Sequence, residues 1–569
     1  MTKVLKAFTI KATDILVYYL EGRDNLMVKL TDDYLNNPAP FEDAGIKLPQ
    51  FNQDEIVKHT NEAPVWVHFG GGNLFRCFHS VIAQDLINKG ELDSGIIVAD
   101  TYDDEVINKV YKPYNNRFLS VVMKKNGFDK ELIASVTNSI YANSKNKAGL
   151  DELKRIFEKP SLQFATFSIT EKGYALKDID GNLTKGAEHD INSNPDEAVT
   201  NMGIITNLLL ARYKAGKSPI AMVSTDNFSQ NGKRLEEAVL LIANGWLKNG
   251  IVDQGFVDYL SDSQQVSFPW SMIDRITPNP SEIVAEQLVN DGIEDAAIIH
   301  TDKHTNIALF GNTEETHYLV IEDSFPNGRP KLEDAGVLMT DRETVNDADQ
   351  MKVTACLNPL HTSLAIFGCL LGFNSIADEA VDEDLLKMIK NLGYGEDLPV
   401  VKDPGIINPK EFIDTLVEKR LPNKNIPDTP QRIASDTSQK VGIRYGVTLQ
   451  HYVDDPKLNP ADLEFIPMII AGWCRYLMAI DDEGKAFVPS PDPLYDQLHK
   501  YVADIKLGDG ELDVHEKLEP ILSNKSIFGN DLYEIGLGNK IENYFKQMIA
   551  KPGAVRETIH QTVMEKGKF

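Results

Sequence analysis

Three consecutive glycines between a β-type run and a helix-type run constrain the fold of this chain more than any other feature. Residues 65–69 are rich in aromatic and β-branched side chains, and residues 73–89 carry apolar side chains at helical spacing. A strand that passes into a helix through glycines is typical of a parallel α/β sheet. The glycines let a phosphate approach the backbone closely, and the first N–H groups of the helix attract its charge. The pattern therefore predicts an anion-binding turn at Gly70, Gly71 and Gly72.

The order of apolar runs along the chain predicts two large domains. Further strands are predicted at residues 95–100, 162–169 and 220–224, and helical or loop segments separate them. Amphipathic helical segments dominate the later part of the chain, at residues 362–371, 384–392, 409–418, 467–480 and 539–549. We therefore expect an α/β Rossmann-like N-terminal domain and a mainly α-helical C-terminal domain. The predicted boundaries are an N-terminal extension at residues 1–60, the Rossmann-type domain at 61–349 and the helical domain at 350–569.

The charge balance argues against several classes of protein. The 569 residues include 58 Lys and Arg against 85 Asp and Glu, a net charge of −27, which argues against binding of nucleic acid or an anionic membrane by the whole surface. The most apolar stretch, residues 364–373, is far shorter than the roughly 20 residues that a transmembrane helix needs. The N-terminus shows no secretory signal pattern. We therefore expect a cytoplasmic protein with neither a nucleic-acid nor a membrane partner.

The cysteines do not predict a metal site. Cys77, Cys356, Cys369 and Cys474 have neither CxxC spacing nor any other paired spacing. We therefore expect four reduced, mostly buried thiols, and neither a disulfide framework nor a bound zinc ion. The sequence gives no indication of the oligomeric state.

Asp100 makes a dinucleotide the favoured ligand of the glycine turn. The spacing Gly70-x-Gly72 matches the start of the GxGxxG fingerprint, although Phe75 replaces its third glycine. Asp100 ends the next predicted strand, where a carboxylate accepts hydrogen bonds from the ribose hydroxyls and repels a 2′-phosphate. The pattern therefore favours NAD over NADP as cofactor. A glycine turn that binds no ligand, with Asp100 as an ordinary residue at the end of a strand, is the alternative.

Six segments together resemble the polyol-specific long-chain dehydrogenases, the mannitol dehydrogenase family. They are residues 68–76 (HFGGGNLFR), 170–174 (TEKGY), 224–232 (STDNFSQNG), 268–278 (FPWSMIDRITP), 357–362 (LNPLHT) and 432–440 (RIASDTSQK). They occur in the family's order, and the resemblance spans roughly residues 64–560. It implies hydride transfer between NAD(H) and a secondary alcohol or ketone of an open-chain sugar derivative, without a metal.

The resemblance also implies a set of site residues, for which each residue alone has an ordinary structural explanation. As hydride leaves an alcohol, alkoxide charge develops, so an acid–base group and fixed donors must surround one oxygen. Positions that hold this oxygen are matched by Asn227, Asn358 and His361. Positions that bind the rest of the substrate are matched by Asp274, Arg275, Arg432 and Lys440. The cofactor-binding positions are Gly70, Gly71, Gly72, Asn73, Leu74, Phe75, Arg76, Asp100, Thr170, Glu171 and Asn227.

The catalytic lysine departs from the family pattern by one residue. The family places a lysine five residues before the asparagine, at the position of Val353, whereas this chain has Lys352. On a regular helix Lys352 would point about 180° away from His361. We nevertheless expect Lys352 to be the acid–base group, with Lys172 as the alternative.

Two local structures would bring Lys352 back to the site. A single π turn absorbs one extra residue, and such turns are frequent at functional sites. Alternatively, Asn358 caps a helix that begins at Pro359, a favoured first helical residue, and residues 352–358 are extended. The sequence does not decide between them.

The resemblance to the fructuronate reductase branch of the family implies a particular substrate pair, D-mannonate and D-fructuronate. Mannitol with fructose and altronate with tagaturonate are the alternatives. A buried carboxylate needs a cationic partner, and Arg275, Arg432, Lys440 and Arg444 are available. A non-catalytic NAD-binding sensor is an alternative from another class, because the lysine is shifted.

The expected substrate and cofactor are both anions, whereas the chain is acidic. Its surface as a whole therefore does not attract them. We expect Arg76, Arg432, Lys440 and Lys352 to form a basic cleft within an acidic exterior.

Overall fold

The computed structural model describes residues 27–178 and 180–569. Within them, all sheets lie before residue 341, in the part of the chain that we call the first half, and the part from residue 341 onwards is the second, helical half. Residues 1–26 of the predicted N-terminal extension lie outside the described residues. The strands are β1 (Ile46–Lys47), β2 (Trp66–Phe69), β3 (Ile96–Asp100), β4 (Phe118–Lys124), β5 (Gly127–Ile133), β6 (Val136–Tyr141), β7 (Phe164–Phe167), β8 (Ile220–Ser224), β9 (Val266–Ser267), β10 (Ser271–Asp274), β11 (Ile299–His300), β12 (Asn306–Ile307), β13 (Phe310–Glu314), β14 (Tyr318–Glu322) and β15 (Leu338–Thr340). The helices of this half are Ala39–Asp43, Gln53–Glu62, Ser80–Asn88, Asp104–Val106, Lys147–Phe157, Lys185–Asn192, Asn201–Lys214, Asn231–Lys248, Gln254–Ser261 and Glu282–Asn290.

Six parallel strands form the central sheet in the order β6-β3-β2-β7-β8-β9. Counted along the sheet's own strands this is 3-2-1-4-5-6, the order of a dinucleotide-binding fold. Alternate residues of each strand enter different cores, since Trp66 packs on one face and Val67 on the other. The strand order reverses between β2 and β7, so a crevice opens at their carboxyl ends. The glycine turn follows β2 at this crevice, and Thr170 lies three residues beyond β7.

A second sheet, in the order β1-β5-β4-β13, was not predicted. Its hairpin β4–β5 is inserted between β3 and β6, and β13 pairs with β4 in parallel. The described part of the predicted extension packs onto this sheet, because Val28, Tyr34, Phe41 and Ile46 share one core with it. The strands β10, β14 and β15 form a third sheet, and β11 pairs with β12.

The second half of the chain is helical, which confirms the predicted combination of a Rossmann-like domain with a mainly helical one. Its α-helices are Arg342–Met351, Asn358–Leu371, Ile376–Glu379, Glu383–Lys390, Pro409–Thr415, Pro430–Ile433, Thr437–Val441, Val447–Asp454, Phe465–Tyr476, Tyr495–Val502, His515–Leu522, Lys525–Phe528, Gly538–Ile549 and Ala554–Lys566. Within the described residues the chain also forms π turns at Phe75–His79, Ile107–Tyr111, Lys352–Cys356, Asn391–Asp397, Leu416–Arg420 and Gly442–Gly446. Short 3₁₀ segments lie at Lys112–Tyr114, Glu171–Tyr174, Pro195–Glu197, Leu332–Ala335 and Pro460–Asp462.

The helical stretch Arg342–Leu371 is long and apolar enough to span a membrane by length and composition alone. However, 78% of its most apolar window is buried inside the protein. Leu360, Leu364 and Phe367 belong to the largest apolar core, which the surrounding helices share. The stretch is therefore the central core helix of the second half.

A buried guanidinium joins the two halves. Arg420, at the end of a π turn in the helical half, donates to both oxygens of Asp274 (2.6 and 3.0 Å) and to both oxygens of Glu314 (2.8 Å each). All three side chains are less than 10% exposed. Burial alone would raise the pKa of Asp274, but the neighbouring Arg420 lowers it below its ordinary value. Asp274 belongs to β10 in the third sheet, and Glu314 belongs to β13 in the second sheet. The ion pair therefore joins the helical half to these two sheets.

Substitution of Arg420 tests this junction. We expect Arg420→Met to lower the free energy of unfolding by about 3–5 kcal/mol, because two carboxylates are left buried without a cation. Urea denaturation at pH 7.5 measures the loss. Part of it should be regained as the pH falls towards 5, since protonation of Asp274 or Glu314 removes their repulsion.

Arg329→Met is the matched control. Arg329 also pairs with two carboxylates, Asp323 and Glu333, but each of these side chains is 49% exposed. The expected loss is about 1 kcal/mol or less. Equal losses in the two variants would contradict the assignment of the Arg420 ion pair as a structural junction.

Two buried histidines hold the sheet together beneath the glycine turn. In β2, His68 is hydrogen bonded to the hydroxyls of Thr166 (2.6 Å) and Ser168 (2.8 Å) at the end of β7. Next to it, His79 is hydrogen bonded to the hydroxyl of Thr225 after β8 (2.8 Å). Burial lowers the pKa of His79 from its ordinary 6.5 to about 3 and that of His68 well below 6.5. Both rings are therefore neutral at physiological pH.

The lowered pKa of His79 predicts acid sensitivity. The unfolded chain binds a proton at this ring below pH 6.5 and the folded chain only near pH 3, so stability is lost as the pH falls through this window. At pH 5 the loss due to His79 is ~2 kcal/mol. We expect His79→Phe to remove that part of the loss between pH 7.5 and pH 5, measured by urea denaturation, whereas the exposed His59→Gln should not. An unchanged pH dependence in His79→Phe would contradict the prediction.

Candidate functional site

A cleft of about 1180 Å³ lies between the two halves. One wall is the segment from Ile273 to Ile283, which follows β10 and leads into the helix Glu282–Asn290. The other wall comes from the helical half and includes the start of the helix Asn358–Leu371 and the two turns that carry Arg432 and Arg444. The glycine turn reaches the cleft through Leu74. The cleft is therefore at the crevice that the strand order of the central sheet predicts.

A π turn places Lys352 on the cleft side of the long core helix. The turn spans Lys352–Cys356, and Leu357 N–H donates to the Lys352 carbonyl, five residues back (3.1 Å). The α-helix resumes at Asn358, with Pro359 in its first turn. The first of the two predicted arrangements is therefore the one that forms. Asn358 does not cap this helix, and its side chain lines the cleft instead.

Lys352 is only 2% exposed, and its amine contacts Asn227 and Ile273, two residues that line the cleft. It donates to the side-chain oxygen of Asn227 (2.7 Å) and to the carbonyl of Ile273 (2.8 Å). Asp349 lies 3.6 Å from the amine and accepts a hydrogen bond from the exposed Ser229 (2.5 Å). A charged lysine has three N–H donors, and the third donor of Lys352 makes no hydrogen bond within the described residues. The alternative candidate, Lys172, is exposed on a 3₁₀ turn.

His361 lies one helical turn after Asn358 and also lines the cleft. Its Nε2 is 3.2 Å from a carboxylate oxygen of Asp428, yet Nε2 is buried and forms no hydrogen bond within the described residues. The other oxygen of Asp428 accepts from Arg432 Nε (2.9 Å). Burial alone would raise the pKa of Asp428, but His361 and Arg432 lower it below its ordinary value. Asp428 is therefore an anion beside His361.

Three cations of the cleft have no acidic partner. No carboxylate of the described chain lies within ion-pair distance of Arg275, Lys440 or Arg444. Arg444 donates to the Thr362 hydroxyl, and burial lowers the pKa of this arginine to about 10. Burial and the charge of Arg444 lower the pKa of Lys440. Arg275 lies over the ring of Phe78 and has a buried Nε without an acceptor.

The cleft as a whole is basic, although the chain is acidic. Its cationic lining residues are Arg275, Arg420, Arg432, Lys440 and Arg444, and its acidic ones are Asp274, Glu282 and Asp428. The structure places Arg432 and Lys440 in the cleft lining, and Lys352 reaches the cleft through its hydrogen bond to the lining residue Asn227. The expected contribution of Arg76 to the cleft is wrong. Its guanidinium is buried and donates to the carbonyls of Ala308 and Phe310, because the π turn that carries it faces β13.

The glycine turn has the geometry of a phosphate cradle. Gly70 has φ +107°, and a Cβ at this position would lie 2.3 Å from the carbonyl oxygen of Ser168, so only glycine fits. A Cβ on Gly72 would meet open space. Among the described residues no acceptor bonds the backbone N–H groups of Gly72, Asn73 and Leu74. These donors at a helix start fit the pyrophosphate of a dinucleotide.

The remaining cofactor candidates divide into two groups. Phe75 is buried in the core and stacks on His68 (4.5 Å), and the Asn73 amide donates to the carbonyl of Pro278 (3.1 Å). Thr170 lines the cleft, and its backbone has a positive φ of +63°. Glu171, in contrast, forms an ion pair with Arg234 on the surface. The structure therefore brings Thr170 to the cleft but does not bring Glu171 or the side chain of Phe75 to it.

Asp100 shapes the glycine turn through the backbone. Its carboxylate accepts from the N–H groups of Gly71 (3.2 Å), Tyr102 (2.9 Å) and Asp103 (2.8 Å). Burial raises the pKa of Asp100 above its ordinary value, and these three donors act in the opposite direction. Each carboxylate oxygen accepts more than one hydrogen bond, so the carboxylate can also accept from a ribose hydroxyl at the end of β3.

Sequence reasoning missed Arg420, Glu314, Asp349 and Asp428. Two of them had a usable signal, because Asp349 precedes Lys352 by three residues and Asp428 precedes Arg432 by four, the spacings that pair side chains on a helix. Arg420 and Glu314 had none, since they are 106 residues apart and belong to no motif.

Comparisons with known proteins agree with this geometry. The family model described as "Mannitol dehydrogenase Rossmann domain" matches residues 65–334, and "Mannitol dehydrogenase C-terminal domain" matches residues 345–549. The chain is 50% identical to "D-mannonate oxidoreductase" of Thermotoga maritima over 539 residues, which cover 94% of this chain and 99% of that protein. It is 27% identical to "Mannitol 2-dehydrogenase" of Emericella nidulans over 516 residues, 87% of this chain and 92% of that protein.

Two solved structures share the fold. A crystal structure of D-sorbitol dehydrogenase in substrate-free form has a TM-score of 0.71 at 25% identity and covers 89% of this chain and 98% of its own. Mannitol 2-dehydrogenase of Pseudomonas fluorescens, in a ternary complex with NAD and D-mannitol, has a TM-score of 0.68 at 23% identity, with 95% and 100% covered. Together with the two family models, these similarities confirm the resemblance inferred from the sequence: the chain belongs to the mannitol dehydrogenase family.

Proposed function

We propose that the protein is an NAD-dependent oxidoreductase that interconverts D-mannonate and D-fructuronate. The observation that carries the proposal is the buried amine of Lys352, which is bonded to Asn227 at the floor of a cleft with unpaired cations. The 50% identical protein of Thermotoga maritima has the name of this activity. The open glycine turn and Asp100 support a dinucleotide as the second reactant.

The side chains at the cleft floor perform the proton transfer. Bound NADH supplies the hydride. As the carbonyl carbon accepts it, the substrate oxygen gains negative charge, and Lys352 Nζ donates a proton to this oxygen through its free N–H. Asn358 and His361 line the cleft beside it and hold the same oxygen. In the oxidation direction Lys352 accepts the proton from the hydroxyl.

The unpaired cations support a sugar acid rather than a polyol as substrate. A partly buried cation without a carboxylate is costly, and a ligand carboxylate offsets this cost. Arg444, Lys440 and Arg275 offer three such positions along one cleft. A polyol would leave all three without a counter-ion.

Asp100 supports NAD rather than NADP. Its carboxylate ends β3 next to the glycine turn, where the adenosine ribose of a dinucleotide binds in this fold. A 2′-phosphate at this place would meet the carboxylate at short range, whereas two hydroxyls would donate to it.

A panel of ketones tests the activity. With NADH, we expect kcat/KM for D-fructuronate to exceed that for D-fructose about 10- to 150-fold, because the loss of a charge-assisted hydrogen bond costs about 1.5–3 kcal/mol. Absorbance of NADH at 340 nm measures turnover, and D-tagaturonate tests the stereochemical alternative. Faster turnover of D-fructose would contradict the choice of substrate but not the reaction class. Binding of NADH without turnover of any ketone would favour the sensor.

Exchange of two neighbouring residues tests the assignment of Lys352. Lys352→Met should lower kcat about 10²- to 10⁴-fold, as expected when a general acid is lost. The double variant Lys352→Val/Val353→Lys, which restores the family position of the lysine, should stay equally impaired, because the π turn aims residue 352 at Asn227. The control Lys172→Ala should retain near-normal turnover. Recovery in the double variant would contradict the assignment.

A further inference from the structure

Asp428 contacts two of the proposed substrate-binding residues at once. One carboxylate oxygen lies 3.2 Å from His361 Nε2, and the other accepts two hydrogen bonds from the guanidinium of Arg432. The side chain is only 6% exposed, and it lines the same cleft as both partners. Asp428 therefore bridges the residue that is proposed to hold the reacting oxygen and the residue that is proposed to bind the distal part of the substrate.

A backbone hydrogen bond fixes the position of Asp428, and the neighbouring acidic residue Glu379 is neutral. Ile376 N–H donates to the Asp428 carbonyl oxygen (3.0 Å), which fixes the segment against the helix Ile376–Glu379. At the end of that helix, burial raises the pKa of Glu379 to about 9, and the charge of Asp428 adds to this shift. Glu379 is thus protonated at neutral pH, and Asp428 remains charged between His361 and Arg432.

The contact to His361 is within reach but not formed as a hydrogen bond. Its Nε2 is buried and has no hydrogen bond, although the carboxylate oxygen is 3.2 Å away. In a free enzyme catalytic hydrogen bonds are often poorly aligned, and they tighten only in the complex with substrate. Arg432, in contrast, holds its bonds to Asp428 while its own side chain is 64% exposed to the cleft and solvent.

We propose that Asp428 is a positioning residue that couples substrate binding at Arg432 to the orientation of His361. Arg432 holds one oxygen of Asp428, which keeps the other oxygen 3.2 Å from His361 Nε2 and in position to accept its hydrogen bond, and a substrate bound to Arg432 fixes this arrangement. The imidazole is then held in one orientation beside the substrate oxygen. This inference rests on the proposed function, since it assigns Arg432 and His361 to the substrate.

A double-mutant cycle on turnover of D-fructuronate with NADH tests the coupling. In the wild-type background we expect Arg432→Ala to raise KM and also to lower kcat about tenfold or more, because His361 loses its orientation. In an Asp428→Asn background, Arg432→Ala should still raise KM but should change kcat less than about twofold. A positioning role thus changes kcat in one background and KM in both. A merely structural role would instead lower the amount of folded enzyme in both backgrounds.

A second double-mutant cycle, between Arg432 and His361, measures the same coupling while Asp428 is left unchanged. In a His361→Ala background, Arg432→Ala should also lose its effect on kcat. Asp378→Asn is the matched control, because Asp378, on the helix Ile376–Glu379, pairs with the exposed Lys424, and the variant should leave both parameters near wild type. NADH fluorescence titration gives the concentration of competent enzyme for each variant.

Additive effects on kcat in either cycle would overturn the proposal, as would a kcat of Asp428→Asn within twofold of wild type. Failure of the wild-type enzyme to reduce D-fructuronate would instead contradict the proposed function. The two failures are therefore distinguishable.

Discussion

The ion pair of Arg420 with Asp274 and Glu314 is the interaction on which the site depends. Asp274 directly follows Ile273, whose carbonyl oxygen accepts from Lys352. One buried guanidinium thus sets both the closure of the two halves and the position of the acceptor that holds the catalytic amine. Removal of any one partner of such a buried set leaves uncompensated charge, so only the complete arrangement is stable. Arg420 and Asp274 also line the cleft, so the interaction that joins the two halves forms part of the cleft wall.

Three π turns explain how the helical half serves both a core and a cleft. Lys352, Arg420 and Arg444 each lie within one of these turns. An extra residue in a helical turn rotates the following residues by about 100° relative to a regular helix. The apolar face can therefore continue into the core on both sides of the turn while the turn itself directs a long cation into the cleft. On a regular helix, Lys352 would lie opposite His361 and would point into the core.

Elements that depend on short segments of sequence could be predicted, whereas contacts between distant segments could not. The central strands and the helical second half could be predicted because periodicity and glycine turns are properties of short segments. The pairing of β4 with β13 could not, because it joins segments almost two hundred residues apart. Among the site residues, Asn358 and His361 were found through a short motif, whereas Arg420 has partners 106 and 146 residues away. For Arg76 the motif was misleading. Its position predicts a contact with a ligand, but the buried guanidinium donates to backbone carbonyls instead.

The basic cleft and the charge of −27 are compatible because they act at different distances. Salt screens charges beyond about 8 Å at physiological ionic strength, so the acidic exterior has little influence on an anion that has entered the cleft. Inside, Arg444 is partly buried, its one side-chain hydrogen bond within the described residues goes to a hydroxyl, and desolvation lowers its pKa to about 10. The folded protein therefore already bears the cost of taking this cation out of water, and an anionic ligand gains the Coulomb attraction without bearing that cost again. The unpaired cation thus destabilises the free protein while it strengthens binding of an acid over a neutral sugar.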